Sequence, residues 1–271
     1  MQAKREDALA WEERWSRPVA LASLAAVALI AAAIVVAAQI GGSDGDSELL
    51  RNVDTHRSAQ LISSILQAIG VGLLAAPLYY LFRAAAARSD AVRGQLVGVV
   101  VAAPLFLAVF AILSGVTNLS AASDFVSDEV PRLLAKGVEL NSERANDAAS
   151  DTLSDAPLRP LAAGFGIGGQ IGFVVAMFYT AMQAMRTGLL TRFWGSLGMA
   201  LGAVSFLFFQ FTLLWYVYLG LLLAGWVPGG RPPAWETGEA MPWPTPGDKA
   251  AEELSSPEEQ QQNSSEESRS G

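Results

Sequence analysis

From Phe193 to Val227 the chain runs for 35 residues without a charged side chain. Written as one straight helix, that block would be about 52 Å long at about 1.5 Å per residue, while a bilayer's hydrocarbon core is about 30 Å thick. The length is too great for one crossing. A helical hairpin turning near Phe208 to Gln210 resolves the conflict with two short spans, 193–208 and 211–227; a single tilted helix projecting from the membrane is the alternative. Four more apolar blocks precede it, at about 19–40, 59–82, 96–116 and 161–185. Apolar residues gathered into blocks of this length mark a membrane class rather than a soluble core. The expected fold is therefore all-α, a polytopic transmembrane helix bundle of six spans, or five in the alternative.

Orientation follows from arginine, which is retained on the cytoplasmic side of short loops. Residues 1–18 carry Lys4, Arg5, Arg14 and Arg17 beside Trp11 and Trp15 and suit a segment at the inner interface. Arg83, Arg88 and Arg93 follow the second block, and Arg186 and Arg192 the fourth. The amino terminus is thus expected inside, a cell membrane (a bacterial inner membrane) is the expected location, and six spans return the carboxy terminus to the cytoplasm. The 22-residue first block exceeds the usual apolar region of a signal peptide, so a retained anchor is expected.

The outer connection, 118–160, holds Val126, Val130, Leu133, Leu134 and Val138 at helical spacing with Asp128 and Arg132 as an i, i+4 pair, predicting an extracytoplasmic amphipathic helix. Glu139, Glu143, Asp147, Asp151 and Asp155 recur every four residues and would line one acidic ridge. Two uses are open for it: a cation or basic partner, or a plain solvated face.

Chemistry is narrowed by what the chain lacks. It has no cysteine and one histidine, which removes thiol nucleophiles, Cys-based zinc and iron–sulfur sites and the usual triads. The net charge of −8 and the lack of a basic patch exclude nucleic acid as a partner. No catalytic residue, metal site or cofactor is expected, and the chain reads as a non-enzyme. On the second span His56, Gln60, Ser63, Ser64 and Gln67 share helical spacing. They form either interhelical packing bonds or a polar cleft open to the outside with His56 at its rim. Gly164-x-Gly166-x-x-Gly169 matches a dinucleotide pattern formally, but no strand precedes it. Gly164, Gly168 and Gly172, and later Gly198 and Gly202, are instead expected as close-packing positions.

Residues 228–271 open rich in proline and glycine and end acidic, predicting an extended tail that is disordered from about Asp248. Its opening, GGRPPAWETGEAMPWP after an apolar hairpin, resembles the ending of some uncharacterised actinobacterial multi-pass membrane proteins; the resemblance covers the last two spans and tail, and implies six spans. The expected partners are the lipid bilayer and another membrane protein or a second copy. Two functional classes follow: a structural, sensory or partner-binding membrane protein, or a carrier or pore for a small neutral solute.

Overall fold

The computed structural model describes residues 2–41 and 44–243. Its regular structure is helical throughout the described residues: α1 (Gln2–Ala37), α2 (Asp46–Thr55), α3 (Arg57–Leu73), α4 (Ala75–Arg88), α5 (Val97–Asp124), α6 (Val130–Ala135), α7 (Glu143–Asp155), α8 (Arg159–Arg186), α9 (Arg192–Val204), α10 (Phe209–Ala224) and α11 (Ala234–Thr237). Four of the rods are long and apolar enough to cross a membrane: Arg5–Ile40, Arg57–Arg88, Gly94–Ala135 and Arg159–Arg186.

Proline explains where these rods bend. Pro77 has no N–H for the Leu73 carbonyl and its ring crowds that carbonyl, so the second rod breaks between α3 and α4, with Leu74 N–H turning to Val71 O at 3.1 Å. Pro131 stands four residues after Ser127 in the same way, and the chain from Phe125 to Glu129 widens into a π-helical turn before α6. Pro18 lies inside α1, yet the helix runs on through it. Residues 1–18 are therefore no separate segment lying along an interface: from Gln2 they extend the first rod.

The rods form a ring. α1 packs on α3, α3 on α5, α5 on α8, α8 on α9, α9 on α10, and α10 closes back onto α1. The bend at Leu74 swings α4 into the middle, where it meets α1, α5, α8 and α10. Around it lies the main core, with Leu78, Leu81, Phe173, Met177, Trp215 and Tyr216 fully buried. Two hydroxyls in this core, Thr180 Oγ1 and Tyr216 Oη, have no protein partner. A buried unpaired hydroxyl costs about 1–3 kcal/mol. Tyr216→Phe, which keeps the ring on Phe173 at 6.4 Å, is expected to raise the thermal midpoint in detergent rather than lower it.

The hairpin of α9 and α10 is shorter than its neighbours. The two helices have 13 and 16 residues, about 20 and 24 Å, against a hydrocarbon core of about 30 Å. The turn falls at Ser205–Phe208, a few residues earlier than the spacing predicts. Its sides are fastened tightly. Trp194 stacks on Tyr218 at 3.6 Å and Trp215 Nε1 donates to Trp194 O at 3.0 Å. At the tip, Phe206, Leu207 and Phe208 are 65%, 73% and 52% exposed.

At the opposite end from the α4 core, the expected outer loop is largely folded. The Gly94–Ala135 rod has 42 residues, about 63 Å, so it overshoots a bilayer core and carries its far end into a second small core with α2 and α7. Leu50, Val53, Phe125, Leu133, Ala149 and Leu153 meet there. The predicted amphipathic helix is thus the continuation of the α5 rod to Ala135, packed by Leu133, with Val138 beyond its end. Arg132 pairs with Glu129 at 2.6 Å instead of Asp128.

Candidate functional site

Residues 228–243 do not leave the bundle. Gly225 takes φ +78°, ending α10, and Arg231 Nε returns to cap it by donating to Leu222 O at 3.0 Å. The chain then straps across the end of the bundle. Trp235 Nε1 donates to Leu189 O and Trp243 Nε1 to Leu190 O, both at 2.9 Å, while Met241 N–H reaches Thr187 O at 3.1 Å. The expected extended tail is therefore ordered from 228 to 243; the disorder expected from about Asp248 lies outside the described residues.

Beneath the strap sits the one buried ion pair among the described residues. Arg88 and Glu12 side chains are 1% and 5% exposed, with Nη1–Oε1 at 2.5 Å and Nη2–Oε2 at 2.8 Å. A guanidinium has five N–H donors, and all five are used here. The other three go to Ala84 O at 2.9 Å and twice to Ala234 O on the strap, at 2.9 and 3.0 Å. Tyr80 donates to Glu12 O at 2.8 Å and lies between the Trp11 and Trp235 rings. Sequence reasoning missed this centre, because Glu12 and Arg88 are 76 positions apart and each reads alone as an ordinary interfacial charge.

The polar set on α3 divides. His56 sits at the break between α2 and α3, exposed, its Nδ1 3.0 Å from Asn52 O. Ser63 and Ser64 are buried but donate back to Gln60 O at 3.0 and 2.9 Å, so their hydroxyls are spent on their own helix. Ser64 and Gln60 lean toward Gly115 of α5, where a side chain would collide with Ser64. Gly70 meets Ala26 and Ile30 of α1. At 100° per residue, Gln67 projects between the Ser64 and Gly70 directions. It therefore points into the ring between α5 and α1, away from the outer groove of Ile65, Ile69, Leu105 and Val109. Gln67 is nonetheless exposed, and its amide has no hydrogen-bond partner among the described residues.

Glu139, Glu143, Asp147, Asp151 and Asp155 are all exposed. From Glu143 onward they ride on α7, which forms in spite of like charges at i, i+4 because Ser142 caps it and Ala145, Ala149 and Leu153 are buried beneath. Each like-charge pair costs only a few tenths of a kcal/mol. Asn146 Oδ1 accepts Ser47 N–H at 3.2 Å, tying α7 to α2.

Of the predicted α8 glycines Gly172 packs closely on α5, while Gly164 and Gly168 do not. A Cβ on Gly164 would meet nothing within 4 Å, and one on Gly168 only Phe106 at 4.0 Å; Gly166, Gly169 and Gly172 would each bring it to 2.9 Å from α5. On α9, Gly198 faces the Trp215 ring and Ala181, and Gly202 faces Met177 and Phe178. Among the described residues the α3 set offers neutral amides and hydroxyls for binding.

The chain matches no protein-family model, and comparison with curated proteins and with solved structures finds no significant match.

Proposed function

We propose that this chain is a multi-pass integral membrane protein whose task is binding rather than catalysis: a structural, sensory or partner-binding role exercised at the end formed by α2, α6 and α7. The four long apolar rods support membrane insertion. The observation that carries the choice of role is the closed inner half. α4 fills the ring, and the strap with the Glu12–Arg88 pair lies across its end, leaving side chains where a permeation path would run. A membrane scaffold or receptor needs such a seal; a pore does not.

In the proposed topology the amino terminus, Arg93 and Arg186 are cytoplasmic, and α2 with α7 stands outside. Four rods cross fully. The α9–α10 hairpin enters from the cytoplasmic side and turns back within the hydrocarbon, because its tip of Phe206, Leu207 and Phe208 is apolar, exposed and level with Gln170 of α8, which donates to Ser205 Oγ at 3.1 Å. Irregular backbone at such depth is tolerated when its polar groups are met, and Leu207 and Phe208 N–H both reach Val204 O, at 3.0 and 2.9 Å. The six expected spans become four crossings and one re-entrant hairpin, with both termini still inside.

The cysteine-free background suits thiol labelling with a membrane-impermeant reagent. Single cysteines at Asp44 and Ser150 are expected to react in intact cells, one at Ser255 only after permeabilisation, and one at Leu207 from neither side. Outside labelling at Leu207 would restore six spans; labelling at Ser255 in intact cells would overturn the orientation. A neutral-solute carrier is the second reading, favoured by the unpaired Gln67 amide. It requires the strap and hairpin to part during a cycle, and solute flux in proteoliposomes would establish it.

A further inference from the structure

The hairpin that closes the ring in the inner half stops short of the outer half. Tracing contacts along α8, Gly195 meets Met185, Gly198 meets Ala181, Gly202 meets Met177, and Ser205 reaches Gln170. From Gln170 out to Arg159 there are 11 residues, about 16 Å of α8, with no hairpin beside them. On α1 the hairpin side is marked by Ser23, whose hydroxyl donates to Tyr216 O at 2.7 Å, and by Leu24 and Ala20, which face Gly220; α10 has eleven residues left between Gly220 and Phe209, about 16 Å, which sets the tip about level with residue 33 of α1. The outer part of α1 likewise stands beyond the tip. α1 and α8 do not pack substantially against each other, and α4, which fills the ring lower down, begins only at Ala75. The outer half is consequently a trough with α1, α3, α5 and α8 as its wall, the hairpin tip and α4 as its floor, and a mouth between α1 and α8.

The mouth faces sideways. Its flanks carry Ile34 on α1 and Ile167 on α8, 48% and 60% exposed, above the Phe206–Phe208 tip. No charged residue occurs in 19–40, 58–82, 97–123 or 161–185, so the walls offer no charged side chain to a counterion or a charged headgroup. At the back, about 15 Å along α3 from Arg57, stands the unpartnered Gln67 amide, with half-buried Gln60 two turns outward. In a hydrocarbon setting an unpaired amide is costly, and a guest that satisfies it gains accordingly.

We propose that this trough is a binding site for an uncharged membrane lipid, an acyl glycerol whose chain enters between α1 and α8 and whose ester or hydroxyl pairs with Gln67. The match is one of charge and access: an apolar side door, uncharged walls and one neutral donor–acceptor group. The proposal rests on the membrane topology proposed above and names the ligand of the outer-half site.

The test uses the full chain in lipid nanodiscs with a diazirine-bearing diacylglycerol as probe and a diazirine phosphatidylglycerol for comparison. Labelling by the diacylglycerol is expected to saturate, to be displaced by unlabelled diacylglycerol, and to fall on peptides 31–38, 60–67 and 163–170. Gln67→Leu is expected to weaken the saturable component about fivefold, the factor for one neutral hydrogen bond. Ala163→Trp, on the face of α8 two turns outward of Gln170, is expected to abolish it. Should the tryptophan variant misfold, Gln67→Leu still decides. Labelling that never saturates, that marks the Ile65 and Ile69 side equally, or that is unchanged in Gln67→Leu overturns the site. Stronger saturable labelling by the anionic probe also overturns it. Reaction of Gln67→Cys with an impermeant thiol reagent, without lipid labelling, replaces the lipid with water and a polar solute. Failure of the underlying topology has another signature: the chain leaves vesicles in alkaline carbonate and no apolar helix takes up either probe.

Discussion

Glu12→Gln is expected to destabilise the protein by about 3–5 kcal/mol, the usual result of removing one partner from a buried ion pair and leaving the other uncompensated. The remaining Arg88 guanidinium would keep its bonds to Ala84 and Ala234, but its charge would have no counterion in a site where both side chains are almost wholly buried. The opposite single change, Arg88→Met, should cost a similar amount and should also free Ala234 O and so the strap. The double variant Glu12→Leu/Arg88→Met should recover much of the loss, since a buried pair exchanged for apolar side chains of like volume is often near neutral. Thermal unfolding in detergent, read for both singles and the double, gives the coupling. Additive losses would mean that the two groups do not act as a pair.

Trp235→Ala is the second large effect, at about 3–5 kcal/mol for a buried large aromatic truncated to alanine. The ring is 6% exposed, stacks on Tyr80 at 6.0 Å, lies under the Arg88 and Arg231 guanidinium groups and donates to Leu189 O. Its loss should be local in consequence. Limited proteolysis is expected to cut the strap between Pro228 and Trp243 in the variant while sparing the wild type, with the helical circular dichroism largely kept. Global loss of helix at the same temperature would show that the strap is needed by the whole bundle and not by its end alone.

The rods were legible because a membrane leaves a strong local signal: long uncharged blocks mark the apolar stretches of α1, α3 with α4, α5 and α8, although α1 begins at Gln2, seventeen residues before its block, and α5 runs eight residues past its own, to Asp124. Breaks were legible only in hindsight, since Pro77 and Pro131 act through the carbonyl four residues back and that partner carries no mark in the sequence. The strap was misread for a related reason. GGRPPAWETGEAMPWP has the composition of an extended tail, yet its two tryptophans reach the carbonyls of Leu189 and Leu190, contacts some fifty positions away that composition does not record. The α3 polar set shows the limit of periodicity. Spacing put Gln60, Ser63, Ser64 and Gln67 on one side, but serine hydroxyls in a helix can turn back to their own backbone, as both do here to Gln60 O, and that left the side-chain amides, Gln67 deepest among them, as the free groups. On α8 a four-residue glycine register was expected, whereas contact with α5 follows Gly166, Gly169 and Gly172, a register fixed by where α5 lies.

The rod from Gly94 to Ala135 serves both ends of the molecule at once. In the proposed topology roughly 33 Å of its about 63 Å would stand clear of a 30 Å hydrocarbon layer, and its far end carries α2 and α7 through shared buried side chains. In that topology it would act as a lever with its fulcrum among α3, α4 and α8, against which it packs. A tilt of about 10° at the fulcrum would sweep the acidic face of α7 through about 6 Å, more than the 1–2 Å of ordinary helix shifts and close to the roughly 5.4 Å of a one-turn ratchet. The π-helical turn at Phe125–Glu129 is the point where that lever can flex.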